Sequence, residues 1–153
     1  MTTTTKLSYA AETNITCGLD GLANNSARQS TAIDNSTNLY VDALVQLQLK
    51  TAAGTLGPSP IVTVYVYGIG FGGAYTDGAS GTDGAFTAPT STPYNLKVAQ
   101  VIPYDQAANT LVLSSPFSVA AAFGGLLPKK WGIIVVNGTG LALAGTAGQQ
   151  VVN

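Results

Sequence analysis

A G-x-G-x-x-G pattern at Gly68, Gly70 and Gly73 follows directly on the apolar run "VYVY". In a dinucleotide site, such glycines let the backbone approach a pyrophosphate, and the next residues open a helix whose N-terminus faces the charge. The residues that follow here, "AYTDGASGTDGAFTAPTSTP", do not build that helix. Gly78, Gly81 and Gly84 are closely spaced and Pro89 and Pro93 stand ahead, so no amphipathic turn propagates. A ribose-binding acid is due about 20 residues on, at the end of a second strand, and Asp77 and Asp83 come too early. The glycines are read as the bend where a strand enters a surface loop.

Acid pairs are the next candidates. Asp77 with Asp83, or Glu12 with Asp20, would supply the two carboxyls a glycosidase needs. Asp77-Gly78 and Asp83-Gly84 are also turn dipeptides, in which the Asp side chain bonds the backbone two residues on, and this structural role is the reading adopted. A calcium loop wants six to eight oxygens, with acids at alternate positions and a closing Glu, whereas "TDGASGTDGAF" offers two Asp six apart. The chain has no His, which removes the commonest general base and metal ligand and the Ser-His and Cys-His nucleophile pairs. Cys17 stands alone, without a disulfide partner or zinc-ligand spacing, and reads as a small buried apolar residue. Lys129-Lys130, before Trp131, read as gatekeepers flanking an apolar strand. The expectation is a protein that is not an enzyme, with no catalytic residue, no cofactor and no metal.

Four aromatics flank the glycine-rich stretch: Phe71, Tyr75, Phe86 and Tyr94. They fit either a lid on the core, the favoured reading, or an exposed interface for a partner or a sugar ring.

The elements that must carry these residues are strands. "LYVDALVQLQLK" puts Leu39, Val41, Ala43, Val45, Leu47 and Leu49 on one face and Tyr40, Asp42, Gln46, Gln48 and Lys50 on the other, with Leu44 the exception. Period-two alternation marks a strand with one dry face, as in antiparallel sandwiches. "IVTVYVY" repeats it, with Val62, Val64 and Val66 opposite Thr63, Tyr65 and Tyr67. "WGIIVVNGTGLALAG" predicts a hairpin turning at Asn137-Gly138. Further strands are expected at 15–19, 96–102, 111–113 and 151–152, and 119–123 fits either one helical turn capped by Ser118 and ended by Gly124-Gly125 and Pro128, or a bent strand. Seven or eight short strands with almost no helix predict an all-β, antiparallel β-sandwich, jelly-roll-like. Residues 1–12 read as an N-terminal arm and 13–153 as one sandwich domain. The long loop at 68–93 projects from it and is either functional or carries a short pairing of its own, 74–76 against 85–87.

Charged residues make up 8% of the 153 residues, with a net charge of −1, against about 25% in an ordinary soluble domain. So little self-repulsion permits association, which suits a docked subunit. The six basic residues are scattered, so a nucleic-acid partner is not expected. No apolar run reaches the roughly 18 residues of a membrane span, and "MTTTTKLSYAAETN" lacks a signal-peptide core, so no membrane partner is expected and the mature chain is expected to start near Met1.

Two stretches resemble a group of small virion proteins of tailed bacteriophages: "RQSTAIDNSTNLYVDALVQLQLK" and "PFSVAAAFGGLLPKKWGIIVVNGTG". The similar features are a Ser-Thr-Ala…Asp-Asn approach to a long alternating strand, a Phe-Ser-Val-Ala start, a Gly-Gly-Leu-Leu-Pro turn and a Lys-Trp-Gly strand. The resemblance implies a β-sandwich structural subunit of a phage particle, of the capsid cement or decoration type. Made in the bacterial host cytoplasm and located in the virion, it would bind the major capsid protein or other virion proteins, as a homo-oligomer such as a trimer. It brings no functional residues with it. A tail, neck or fibre-base component and a carbohydrate-binding sandwich are the alternatives.

Overall fold

The apolar run behind Trp131 becomes the central strand of the molecule. A computed structural model describes residues 9–87 and 96–153, the side chain of Phe71 aside. Its strands are β1 (Ala27–Gln29), β2 (Ile33–Asp34), β3 (Leu44–Val45), β4 (Leu47–Lys50), β5 (Ile61–Gly68), β6 (Gly84–Phe86), β7 (Lys97–Pro103), β8 (Leu111–Leu113), β9 (Phe117–Ser118), β10 (Lys130–Gly138) and β11 (Val151–Val152). One α-helical turn, α1 (Val119–Ala122), follows β9. All the strand pairs are antiparallel. The first sheet runs β6-β1-β10-β5-β7, with β2 also beside β10; the second runs β11-β4-β8, and a short β3-β9 ladder extends along the same chain segments.

The core lies between the sheets, giving the all-β, sandwich-like architecture that the alternation predicts. Val62, Val64 and Val66 of β5 and Ile133 and Val135 of β10 are fully buried against Val45 of β3 and Leu47 and Leu49 of β4. Burying each such side chain contributes roughly 1.5–3 kcal/mol before the cost of ordering it. β5 and β10 pair in one register from Trp131 opposite Gly68 to Gly138 opposite Ile61. A smaller apolar cluster, containing Tyr67, Phe86, Leu96 and Ile134, covers the other face of the first sheet.

Of the two readings of 119–123, the helical turn is the one that forms. Ser118 Oγ accepts from Ala121 N–H at 3.0 Å, and Gly124 and Gly125 end it with positive φ. The structure differs elsewhere. There are eleven strands among the described residues rather than seven or eight, because the 39–50 stretch breaks in two and short ladders form at β1, β2 and β9, where no alternation marks them. In the 39–50 stretch only Leu44–Val45 and Leu47–Lys50 are strand. Leu39 takes a positive φ of 52°, and Leu39 and Val41 are exposed rather than buried. Residues 15–19 form no strand, although Ile15 and Leu19 are buried and Ile15 N–H bonds Val152 O at 2.7 Å.

The expected Asn137-Gly138 hairpin is absent. Both residues stay in the β10 ladder opposite Val62 and Ile61, and the chain bends at Gly140 (φ 88°), where a Cβ would lie 2.3 Å from Gly57 N. It then crosses to the second sheet, where Leu143 bridges Thr51. The fully buried Asn137 side chain explains the difference, because its amide ties the following bend at 139–141 to Leu22 and so moves the turn past the ladder. Residues 1–8 of the expected arm lie outside the described residues, and Tyr9 to Asn14 are exposed.

Candidate interaction surfaces

The glycine-rich loop folds back over the outer face of the first sheet. β5 ends at Gly68, Ile69 bridges Tyr75, and two three-residue turns follow at Phe71–Gly73 and Thr76–Gly78, so the residues after the glycines form no anion-facing helix. The anticipated pairing of 74–76 with 85–87 does not form. Gly84–Phe86 instead pairs with β1, whose edge lies open beside β10.

Side chains then fasten the loop to the sheet. Asp83 takes both nitrogens of the Arg28 fork, Nε to Oδ1 at 2.7 Å and Nη2 to Oδ2 at 2.8 Å, and Oδ1 also accepts from Gly18 N–H at 3.1 Å. Ser80 N–H donates to Gln29 Oε1 at 3.0 Å, and Ala32 N–H donates to Gly81 O at 2.9 Å. Tyr67, fully buried, lies over Gly132 and donates its hydroxyl to Ser30 O at 2.7 Å. The Tyr75 ring meets it edge-on, with centroids 5.7 Å apart, and rests on Gly81.

Of the four aromatics proposed as an interface, Phe86 is buried in the cluster beneath this loop and Tyr75 is half-buried against it. Tyr94 and the Phe71 side chain lie outside the described residues. The Arg28 guanidinium holds the Asp83 carboxyl below the usual carboxylate range, the opposite of what a general acid requires. Burial, with the Asp83 charge adding to it, pushes the Cys17 thiol up to about 12, so it stays protonated and unreactive at neutral pH. Among the described residues, no three of His, Cys, Asp and Glu gather at metal-binding distance.

A carboxylate whose folded value is depressed adds stability above its unfolded value and loses that contribution as pH falls. Asp83→Asn is therefore expected to lower stability by about 1–2 kcal/mol at neutral pH. The gap to the wild type should close as acid passes below the ordinary 3.8. Urea midpoints of both proteins across that range check this, and a gap that persists in acid would show that the ion pair is not its source.

Two surfaces remain. Between the outer edges of β7 and β8 runs a groove of about 400 Å³ lined by Val101, Pro103, Leu111 and Leu113. The β7 edge carries Lys97, Pro103 and a bulge opposite Val64 and Tyr65, the devices that discourage strand addition. The second surface is the 39–44 segment, which the alternation had assigned to the core. Asn35 is buried and clamps Tyr40 from both sides: Oδ1 accepts its N–H at 2.8 Å and Nδ2 donates to its O at 3.0 Å. Asp42 Oδ1 accepts from Ala43 N–H at 2.7 Å and from Ala120 N–H in α1 at 2.9 Å. A signal existed in the turn-forming run Asp34-Asn35-Ser36-Thr37-Asn38 and in Leu44, the residue out of phase.

Compared with protein-family models, with curated proteins and with solved structures, the chain matches none.

Proposed function

We propose that the protein is a non-enzymatic structural subunit of a tailed-bacteriophage virion, a cement or decoration protein that binds and stabilises the capsid shell. The observation that carries this reading is how the surface uses its charges. Arg28 is spent on Asp83 and Lys130 on Asp34, and Asp42 bonds two backbone N–H groups. Large apolar side chains, by contrast, stand outside the core at Leu39, Val41 and Leu126. A rigid sandwich of this kind works by burying surface against neighbours, stabilising the assembled state by mass action. The resemblance of 28–50 and 116–140 to phage virion proteins supplies the class of neighbour, the major capsid protein.

The test is immunolabelling of intact particles of the phage that encodes the chain, with copy number from a quantitative gel. Label over the whole shell at many copies per particle is expected. Label confined to a vertex or tail would replace the reading with a tail, neck or fibre-base component, and unlabelled particles would overturn any virion role.

A further inference from the structure

Three large apolar residues in a row, Leu39, Tyr40 and Val41, are exposed at 69%, 49% and 74%, and Leu44 and Leu126 join them at 54% and 75%. Backbone bonds bring these segments to one end of the sandwich. Val119 N–H donates to Ala43 O at 2.9 Å, Gly125 N–H to Ala120 O at 2.8 Å, and Asn35 N–H to Lys129 O at 2.7 Å. Consecutive exposed apolar residues are a fault in a solitary protein and are kept where something covers them. This segment is also held rigidly, by the Asn35 clamp on Tyr40 and by Asp42 on α1. Leu39 sits in the left-handed region, a strain of order 1 kcal/mol that a leucine keeps only where its surroundings impose it.

We propose that this end, formed by Leu39, Tyr40, Val41, Leu44 and Leu126, is where a second copy of the chain docks. Area is the first argument. At these exposures the five side chains leave roughly 500 Å² of apolar surface, at the upper end of what a monomer shows and a large part of the ~800 Å² each partner buries in a standard interface. Charge is the second. Exposed charges of both signs lie on these segments, Asp34 and Asp42 with Lys129, so a two-fold contact would set the Lys129 of each copy toward an anion of the other. A surface carrying both signs is complementary to itself, as an isologous interface requires. A net charge of −1 adds little repulsion between copies.

The inference stands on the isolated chain and does not require the capsid reading. Sedimentation velocity of the purified full chain from about 1 to about 200 µM tests it. The wild type is expected to associate within that range. Val41→Asp and Leu126→Asp, two exposed positions, are each expected to shift it to monomer with unchanged circular dichroism and melting temperature. Lys129→Glu should weaken association about tenfold. A wild type that stays monomeric throughout, or variants that associate as before, would overturn the proposal. Variants that associate normally yet fail to bind shells would assign the patch to the capsid, sinking this inference while sparing the virion reading.

Discussion

Replacing Asn137 by Ala is expected to destabilise the protein by about 3–5 kcal/mol, enough to unfold a marginally stable domain at physiological temperature. The side chain is fully buried and joins the 137–141 bend to Leu22. Its Nδ2 donates to Leu22 O at 2.9 Å and to Leu141 O at 2.8 Å, while Oδ1 accepts from Thr139 N–H at 3.1 Å and Thr139 Oγ1 at 2.8 Å. Truncation removes the partners of those groups and admits nothing to replace them, and an unsatisfied buried polar group costs about 1–3 kcal/mol. Asn137→Asp keeps the volume but turns an acceptor oxygen toward the carbonyls of Leu22 and Leu141, so it should be no more stable than the alanine variant. Guanidinium midpoints of both variants measure this. A loss under about 1 kcal/mol in either would mean that the hub is dispensable.

The second large effect is expected at Gly132. A Cβ there would lie 2.4 Å from both Cζ and Oη of Tyr67, its partner across the β5–β10 ladder. The ring cannot swing away, because its hydroxyl is bound to Ser30 O and its face is closed by Tyr75. Gly132→Ala should therefore cost about 3 kcal/mol or more, at the upper end for overpacking. Tyr67→Ala alone should cost about 3–5 kcal/mol. The double variant separates a local clash from a general intolerance of side chains in the strand. With the ring gone the alanine has room, so the two losses should fall short of additive by at least about 1 kcal/mol. Strictly additive losses would show that Gly132 is required for some reason other than Tyr67.

Period-two patterning in the sequence was decisive where a strand is buried on its alternating face. Val62, Val64 and Val66 could face only the core, and a register slip would have put Thr63 and Tyr65 there. Ser118 was legible as a cap because its hydroxyl acts on the backbone three residues away. Leu39 and Val41 misled because apolar residues at alternate positions say which side chains share a face, not whether that face is covered. Asn137-Gly138 misled for a related reason. The dipeptide favours a turn by local conformational preference, and the pairing of β10 with β5 together with the bond from Asn137 Nδ2 to Leu22 O outweighs a preference of that size. Asp77 and Asp83 were read as turn acids, and Asp77 does take φ 55°. The bidentate bond from Asp83 to Arg28 joins residues 55 apart in sequence, which no local pattern announces.

The place of β10 in the first sheet also constrains how the protein is made. The strand that joins β1 to β5 is next to last in chain order. Its bonds reach far back, as from Ile133 N–H to Ser30 Oγ, 103 residues away. Until Gly138 has left the ribosome, a growing chain has no centre around which β1 and β5 can pair, and both strand edges stay open. Such a topology folds slowly, and its apolar strands stay exposed to wrong pairing until β10 arrives.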